Sequence, residues 1–519
     1  MSSARVTADA PVTFTRRQIA VIMVGLMLGM SLAAFDQMIL GPAIPKISSD
    51  LPGALDISWI VSAYLLTTTA VTPIYGKLSD LYGRRALFQV GISIFVLSSA
   101  LCALATTIDV LVAARALQGV GGGGLIVLAQ ATVADVVSPR ERGRYQAYFA
   151  TVWILASGLG PIFGGAFADY LSWRWVFWIN VPLGIVALLV SRATLKGLVR
   201  KGLRHKIDYL GAILLVTATC CLLLVTTLGG NGMPWDAPAM LELMGAALVL
   251  FGLAVVQERR AIEPILPPRL FRNQSYVLGN ITSATYSATM LGAITFVPTF
   301  FQMVYGFGPS DSGFISAPMF IAMPISNVIG GRITAATGRY KIFPVVGLAL
   351  ATVSMALMAL GTPSTPLAVA MIESIFCGVG IGLVGPMLLL GIQNAVDPRD
   401  IGAATGSFAF FRNLGGSFGV TLFGTILISC MDRALHSLPE AAGIDNGAAL
   451  LNAGADALRQ VPAALRGPVA EGISGAYNIM FICGAVGTGI AFLSVLFMRE
   501  LPLKTITGAA ERAAAEKPR

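Results

Sequence analysis

Two side chains of opposite charge lie deep in apolar sequence. Asp36 follows Ala33, Ala34 and Phe35 and comes just before Met38, and Arg115 opens the stretch RALQGVGGG. Away from water a carboxylate favours its neutral form, a neighbouring cation favours the anion, and arginine stays charged at any physiological pH. An acid and an arginine within reach of each other therefore make a proton-binding unit whose affinity follows conformation. Asp36 falls in the outer third of the first long apolar run. Arg115 lies about five to seven residues into the fourth, which at roughly 1.5 Å per residue is a comparable depth. The two runs cross in opposite directions, so the groups converge on one layer, and Gln118, one turn beyond Arg115, extends the polar set. A lone carboxylate at a bilayer centre costs about 3 kcal/mol or more, which argues for a task. Three readings of Asp36 stand: a proton or cation site, a structural partner of Arg115, or a polar residue at a helix end. For Arg115 the alternative is snorkelling toward the outer headgroups.

Glu373 is another acid well inside an apolar run, and Arg412 and Asn413 sit on a later one. In an otherwise apolar cavity Glu373 would favour a lipophilic cation; the alternative is an interfacial helix end. Arg412 divides in the same way between cavity and snorkelling. The candidate cavity residues are Gln118, Trp153, Glu373, Phe410, Arg412 and Asn413, with Tyr64, Phe296, Phe300, Tyr305 and Phe411 as further aromatic lining or as ordinary packing. The six cysteines fall inside or at the ends of apolar runs, and His205 and His436 fall in loops. None has ligand spacing, so no metal site and no catalytic cluster is expected.

The elements that must position these groups are membrane helices. The chain of 519 residues is 55% hydrophobic and 12% charged, against about 25% charged for a soluble protein. Its solvent is lipid. Fourteen runs reach the roughly 20 residues a helix needs to cross: 18–41, 57–76, 86–106, 109–131, 145–168, 175–195, 207–229, 238–257, 275–302, 311–331, 342–361, 366–390, 404–430 and 474–498. None shows the alternating polarity of barrel strands. Of the 35 lysines and arginines, all but Lys46, Arg174, Arg433, Arg459 and Arg466, and the two in-span residues Arg115 and Arg412, fall on one side. The positive-inside rule makes that side cytoplasmic, together with both termini. The net charge of +9 then belongs to loops facing anionic lipid and needs no nucleic acid.

The loop GKLSDLYGRR, Gly76 to Arg85, has a weaker copy in GRITAATGRY, Gly331 to Tyr340. Gly76, Gly83 and Arg84 return 255 residues later as Gly331, Gly338 and Arg339. A repeated polar loop in a greasy chain marks two related halves. Six spans and their loops take less than that offset, which leaves room for two inserted helices. The plan is a six-helix bundle over 1–195, a two-helix insertion over 196–272, and a six-helix bundle over 273–501, with a tail at 502–519. The two inserted helices read as lipid-facing packing. The external loop 432–472 carries an apolar periodic stretch, Ala448 to Leu458, that reads as a surface helix.

Five stretches carry a resemblance. GKLSDLYGRR resembles the helix 2–3 signature of the major facilitator superfamily, matched at Gly76, Leu78, Asp80, Gly83, Arg84 and Arg85. RALQGVGGG is similar to its fourth-helix motif, and GLGPIFGG, with Gly158, Gly160, Pro161, Gly164 and Gly165, to its fifth-helix antiporter motif. FDQMILGPAIP and WRWVFWINVPLG resemble motifs of the 14-helix drug:proton antiporters of that superfamily. The resemblance implies an all-α integral membrane protein with two pseudo-symmetric six-helix bundles. It implies that the Gly76–Arg85 loop latches the halves in an outward-facing state, the alternative being a topological anchor, and that the glycine cluster goes with exchange. Ala335 replaces the acid in the second copy, so any latch there should be weaker. The expected activity is proton-coupled export of amphipathic or cationic drugs from a bacterial-type inner membrane, with Asp36 and Arg115 coupling the proton. Alternatives are carriage of a dedicated metabolite on the same fold, or a channel or membrane-embedded enzyme. No cofactor is expected beyond the proton gradient as energy source. The expected partners are a small-molecule substrate and the bilayer; a periplasmic adaptor stays open and a monomer is favoured.

Overall fold

The computed structural model describes residues 15–53, 57–195, 208–230, 233–436, 447 and 466–504. Most of the cationic loop 192–206, the stretch Ala448 to Leu458 and most of the tail lie outside the described residues. Among the described residues the chain is helical, without strands. Its long helices are α1 (Arg16–Ile39), α2 (Trp59–Tyr82), α3 (Arg84–Ala103), α4 (Ile108–Val136), α5 (Pro139–Tyr170), α6 (Asn180–Thr194), α7 (Tyr209–Gly230) and α8 (Pro238–Arg260). They continue with α9 (Gln274–Tyr305), α10 (Pro309–Thr337), α11 (Ile342–Met358), α12 (Leu367–Gly382, extended past a break by Gly385–Ala395), α13 (Ile401–His436) and α14 (Arg466–Phe497). Helix is the form a single segment must take in lipid, because it satisfies its own backbone donors and acceptors.

Twelve of these segments hold a window long and apolar enough to cross a bilayer. The other two are α11, with 17 residues, and α2. In α2 the hydropathy is diluted by Thr67, Thr68, Thr69 and Thr72. Thr68 donates to the Gly119 carbonyl at 3.1 Å and Thr72 to the Thr68 carbonyl at 2.6 Å, so these hydroxyls are spent against protein and not against lipid.

The buried apolar residues of α1–α6 form two adjoining clusters, and those of α9–α14 form a third. At the centre of the first bundle, α4 serves as a glycine pillar. A methyl group at Gly121 would stand 2.6 Å from the Phe95 nitrogen, and one at Gly123 would stand 2.6 Å from the Thr68 carbonyl oxygen. The missing side chains let the backbones of α2 and α3 close on α4, which is how helices gain contact energy where lipid supplies no hydrophobic drive.

The bundles cross at two places, and each copy of the repeated loop begins at one of them. Gly76 of α2 lies against Gly402 of α13, and Gly331 of α10 lies against Gly143 of α5, backbone to backbone. The later glycines of the repeat turn the chain: Gly83 has φ 90° and Gly338 has φ 75°, values that favour glycine. These crossings share one end of the molecule, hereafter the charged end.

The insertion differs from the expectation in one respect. α8 does turn its apolar side outward, with Leu248, Val249, Leu253 and Val255 exposed. α7 instead lies in the groove between the bundles. It packs on α2 and on α13, where the Thr226 and Ser417 hydroxyls meet at 3.0 Å and Thr421 donates to the Thr226 carbonyl at 3.0 Å. Thr226 thus ties α7 to the second bundle, while Thr217 and Thr219 bond back to their own helix.

Glycine packing around α4 predicts a contrast. Gly121→Ala and Gly123→Ala should each lower thermal stability in detergent by about 1–3 kcal/mol through overpacking. Gly245→Ala and Gly252→Ala in α8, where a methyl group meets nothing within 4 Å, should leave it unchanged or raise it. Four equal melting temperatures would refute the close-packing account.

Candidate functional site

Asp36 lies on the last turn of α1 and Arg115 on the second turn of α4, where the antiparallel helices bring them together. Asp36 is 0% exposed and Arg115 1%. Arg115 Nη1 donates to Asp36 Oδ2 at 2.5 Å. Asp36 Oδ1 accepts from Gln118 Nε2 at 2.9 Å and from Asn180 Nδ2 at 3.1 Å. Arg115 also donates to Gln118 Oε1 at 2.7 Å and, through Nε, to the Ile60 carbonyl at 3.2 Å. Its guanidinium stacks over the Tyr64 ring, 4.3 Å from the centroid. The Asn180 amide reaches Ser99 Oγ as well, at 3.1 Å, and Ser99 donates to the Phe177 carbonyl. Five of the six helices of the first bundle thus enclose one carboxylate. One polar atom beside it, Asn180 Oδ1, has no hydrogen-bond partner among the described residues.

The glycines of α5 lie where α1 ends. A methyl group at Gly160 would sit 2.6 Å from Met38 Cβ, and one at Gly164 would overlap the Ile39 carbonyl oxygen. Gly158 and Gly165 face open space, and Pro161 sits inside the helix on its exposed side. The cluster is therefore divided: two glycines seat α5 on the residues just beyond Asp36, and two leave its other face smooth.

At the charged end Asp80 spans the bundles. Its carboxylate accepts from the Gly402 and Ala403 backbone N–H groups at 3.0 and 2.8 Å, at the N-terminus of α13. Those donors have no acceptor within their own helix, and the helix dipole favours an anion there. Arg84 holds Asp80 at 2.7 Å and Asp135 of α4 at 2.9 Å. Arg142 donates to Gln393 at 3.3 Å across the other crossing. The second copy lacks this chemistry. Around Ala335 the cross-bundle bonds run from Arg140 to the Ala335 and Ala336 carbonyls at 3.4 and 3.2 Å, in an exposed setting.

The remaining polar and aromatic side chains take other partners. Lys77 pairs with Glu263 at 2.7 Å, and Arg85 makes no ion pair among the described residues. Phe296 and Phe300 belong to the core of the second bundle, where Phe300 packs edge-on against Phe301, Tyr305, Tyr477 and Phe481. Phe410 is buried beside Phe411. Trp153 is half-buried on the core of the first bundle. Glu373 is half-buried on α12 without an ion pair among the described residues, and Arg412, next to Asn413, sits half-buried 6.0 Å from the Phe408 ring. Neither joins the Asp36 network.

The profile of the Major Facilitator Superfamily matches residues 26–420. The chain belongs to this superfamily. It is 38% identical over 486 residues to an uncharacterized MFS-type transporter of Mycobacterium tuberculosis, covering 94% of this chain and 70% of that one. It is 34% identical over 506 residues to the multidrug transporter protein MdtP of Bacillus subtilis, covering 93% of each. Among solved structures, the human organic anion transporter MFSD10 superposes with a TM-score of 0.60 at 15% identity, over 92% of this chain and 99% of that one, a likeness of fold. The protein is a multi-pass membrane transporter of the superfamily, with two six-helix bundles and two inserted helices.

For this superfamily member, reading the sequence alone missed Asn180, Ser99, Asp135 and Glu263. Asn180 stands inside WRWVFWINVPLG as a lone amide among apolar residues, a visible signal whose partner was not. The divided glycine cluster yields a test within this transporter. Gly164→Ala should cost about 1–3 kcal/mol in detergent melts, and Gly165→Ala should melt with the parent protein; the reverse order would mean that α5 does not seat on α1 as described.

Proposed function

We propose that the protein exports amphipathic and cationic lipophilic small molecules across a bacterial inner membrane in exchange for protons, by alternating access. The observation that carries this reading is the fully buried Asp36–Arg115 pair. A buried ion pair is poor at adding stability, and removing one partner's charge strands the other at a cost of about 3–5 kcal/mol. Neutralising Asp36 by a proton has that same consequence for Arg115. Proton binding and the paired geometry are therefore in competition, which is the property that coupling requires.

The wiring of the fold supports the direction of the coupling. Asp36 is followed by Met38 and Ile39, on which Gly160 and Gly164 seat α5, and α5 reaches the second bundle at Gly143. A shift of α1 against α4 is passed to a bundle crossing through backbone contact. The lysine and arginine bias supports a cytoplasmic position for the charged end, closed by Asp80 on α13, and for both termini. On that reading the conformation described is closed toward the cytoplasm. For the cargo, the support is the likeness to the multidrug transporter MdtP and the half-buried Glu373 and Arg412 with nearby aromatics in the second bundle.

Everted vesicles offer the test. A lipophilic cationic dye should accumulate on energisation, the uptake should collapse with an uncoupler, and Asp36→Asn should reduce it to the background of empty vesicles while the variant still elutes as a folded protein. Wild-type uptake by Asp36→Asn would exclude Asp36 as the coupling group.

A further inference from the structure

The segment between α8 and α9, residues 261–273, runs across the charged end. It is fastened to the second bundle. Arg269 donates to both Asp400 oxygens, at 3.1 and 2.7 Å, and Asn273 caps α9 while donating to the Ala395 carbonyl at 2.7 Å. On the insertion side, Glu258 accepts from the Leu266 backbone N–H at 3.1 Å and folds the segment back on α8. From this anchored strap Glu263 reaches to the first bundle and pairs with Lys77 at 2.7 Å, the lysine being 7% exposed.

Lys77 directly follows Gly76, which touches α13, and stands one turn before Asp80, which binds the start of α13. α2 is thus gripped on two sides, by α13 and by the strap. The strap is not packed down on the crossing. A cavity of about 600 Å³ lies beneath it, lined by Lys77, Asp80, Glu258, Glu263, Arg269 and Asp400 among others. Beside the ion pair, the buried Ile265 of the strap meets Ile74, Leu78 and Leu81 of α2, so polar and apolar contacts together hold the strap to the first bundle.

We propose that the strap is a third closure of the charged end, and that Glu263 acts as a gating residue by holding Lys77. To open this end α2 must leave α13, and because the strap moves with the second bundle, α2 must leave Glu263 in the same step. The insertion would then bias the transport cycle toward the state closed at this end. The proposal rests on the alternating-access reading above but not on the identity of the cargo or of the coupling ion.

Hydrogen–deuterium exchange of the full-length protein in detergent reads the step without transport. The Gly402 and Ala403 amides are held by Asp80 and have no acceptor within their helix, so they exchange when α2 leaves α13. Glu263→Gln and Lys77→Met should each speed exchange of the peptide spanning 397–404 several-fold. The swap Lys77→Glu with Glu263→Lys should return it toward the parent rate, and peptides of the α4 pillar should not change. Unaltered exchange in Glu263→Gln would overturn the proposal. So would faster exchange that the swap fails to restore, or a rise spread equally over both bundles, which marks unfolding. If the parent protein moved no dye while the variants still shifted this peptide, the drug reading would fail and the strap would stand.

Discussion

Lipid offers no hydrogen-bonding partner, so every charge or polar group inside this protein must be answered by the protein itself. The Asp36 carboxylate is answered three times, by Arg115, Gln118 and Asn180, and the arginine is answered again by Gln118, the Ile60 carbonyl and the Tyr64 face. That requirement draws helices from the first, second, fourth and sixth spans into one layer, and Ser99 adds the third. A carboxylate fully answered in one geometry is costly to hold in any other. The same constraint that rigidifies the first bundle therefore makes it responsive to a single proton.

Close approach of backbones is the second half of the design, and it follows from the first. Where burial of apolar surface gives no net drive between helices, contact energy comes from small residues that let main chains touch. The glycines of α4 do this within a bundle, Gly160 and Gly164 do it between the ion-pair helix and α5, and Gly76 and Gly331 do it between bundles. Backbone contacts of this kind are stiff, so displacement at one is felt at the next. The route from Asp36 to the Gly143–Gly331 crossing runs along α5, from the Gly160 and Gly164 contacts with the end of α1 to Gly143.

Much of this was legible in the chain. The spans followed from hydropathy, because crossing a bilayer is a property of one segment at a time. The meeting of Asp36 and Arg115 followed from counting residues inward along antiparallel runs. The roles of Gly76 and Gly83, one a close approach and one a positive φ, were both within reach of the motif, although which glycine took which was not. The Lys77–Glu263 pair was not legible: Asp80, three residues along the same helix, is the nearest acid in sequence, whereas Glu263 is brought near only by a strap entering from the far side of the insertion. For Phe296 and Phe300 the sequence left cavity lining and ordinary packing both open, because an aromatic in a membrane helix carries no mark of which side it faces; both lie in the core of the second bundle.

Sequence by itself determined that the protein is an all-helical membrane protein of two related halves with two helices between them, which helices carry charge, and which loop repeats. Each of those properties is local, written in the hydropathy, charge and glycine spacing of a single stretch. Tertiary structure decided which donors complete the Asp36 shell, that α7 lies in the groove between the bundles with Thr226 on α13, and that the strap after α8 reaches Lys77. These depend on how helices far apart in sequence rotate and pack, and no single segment encodes that rotation.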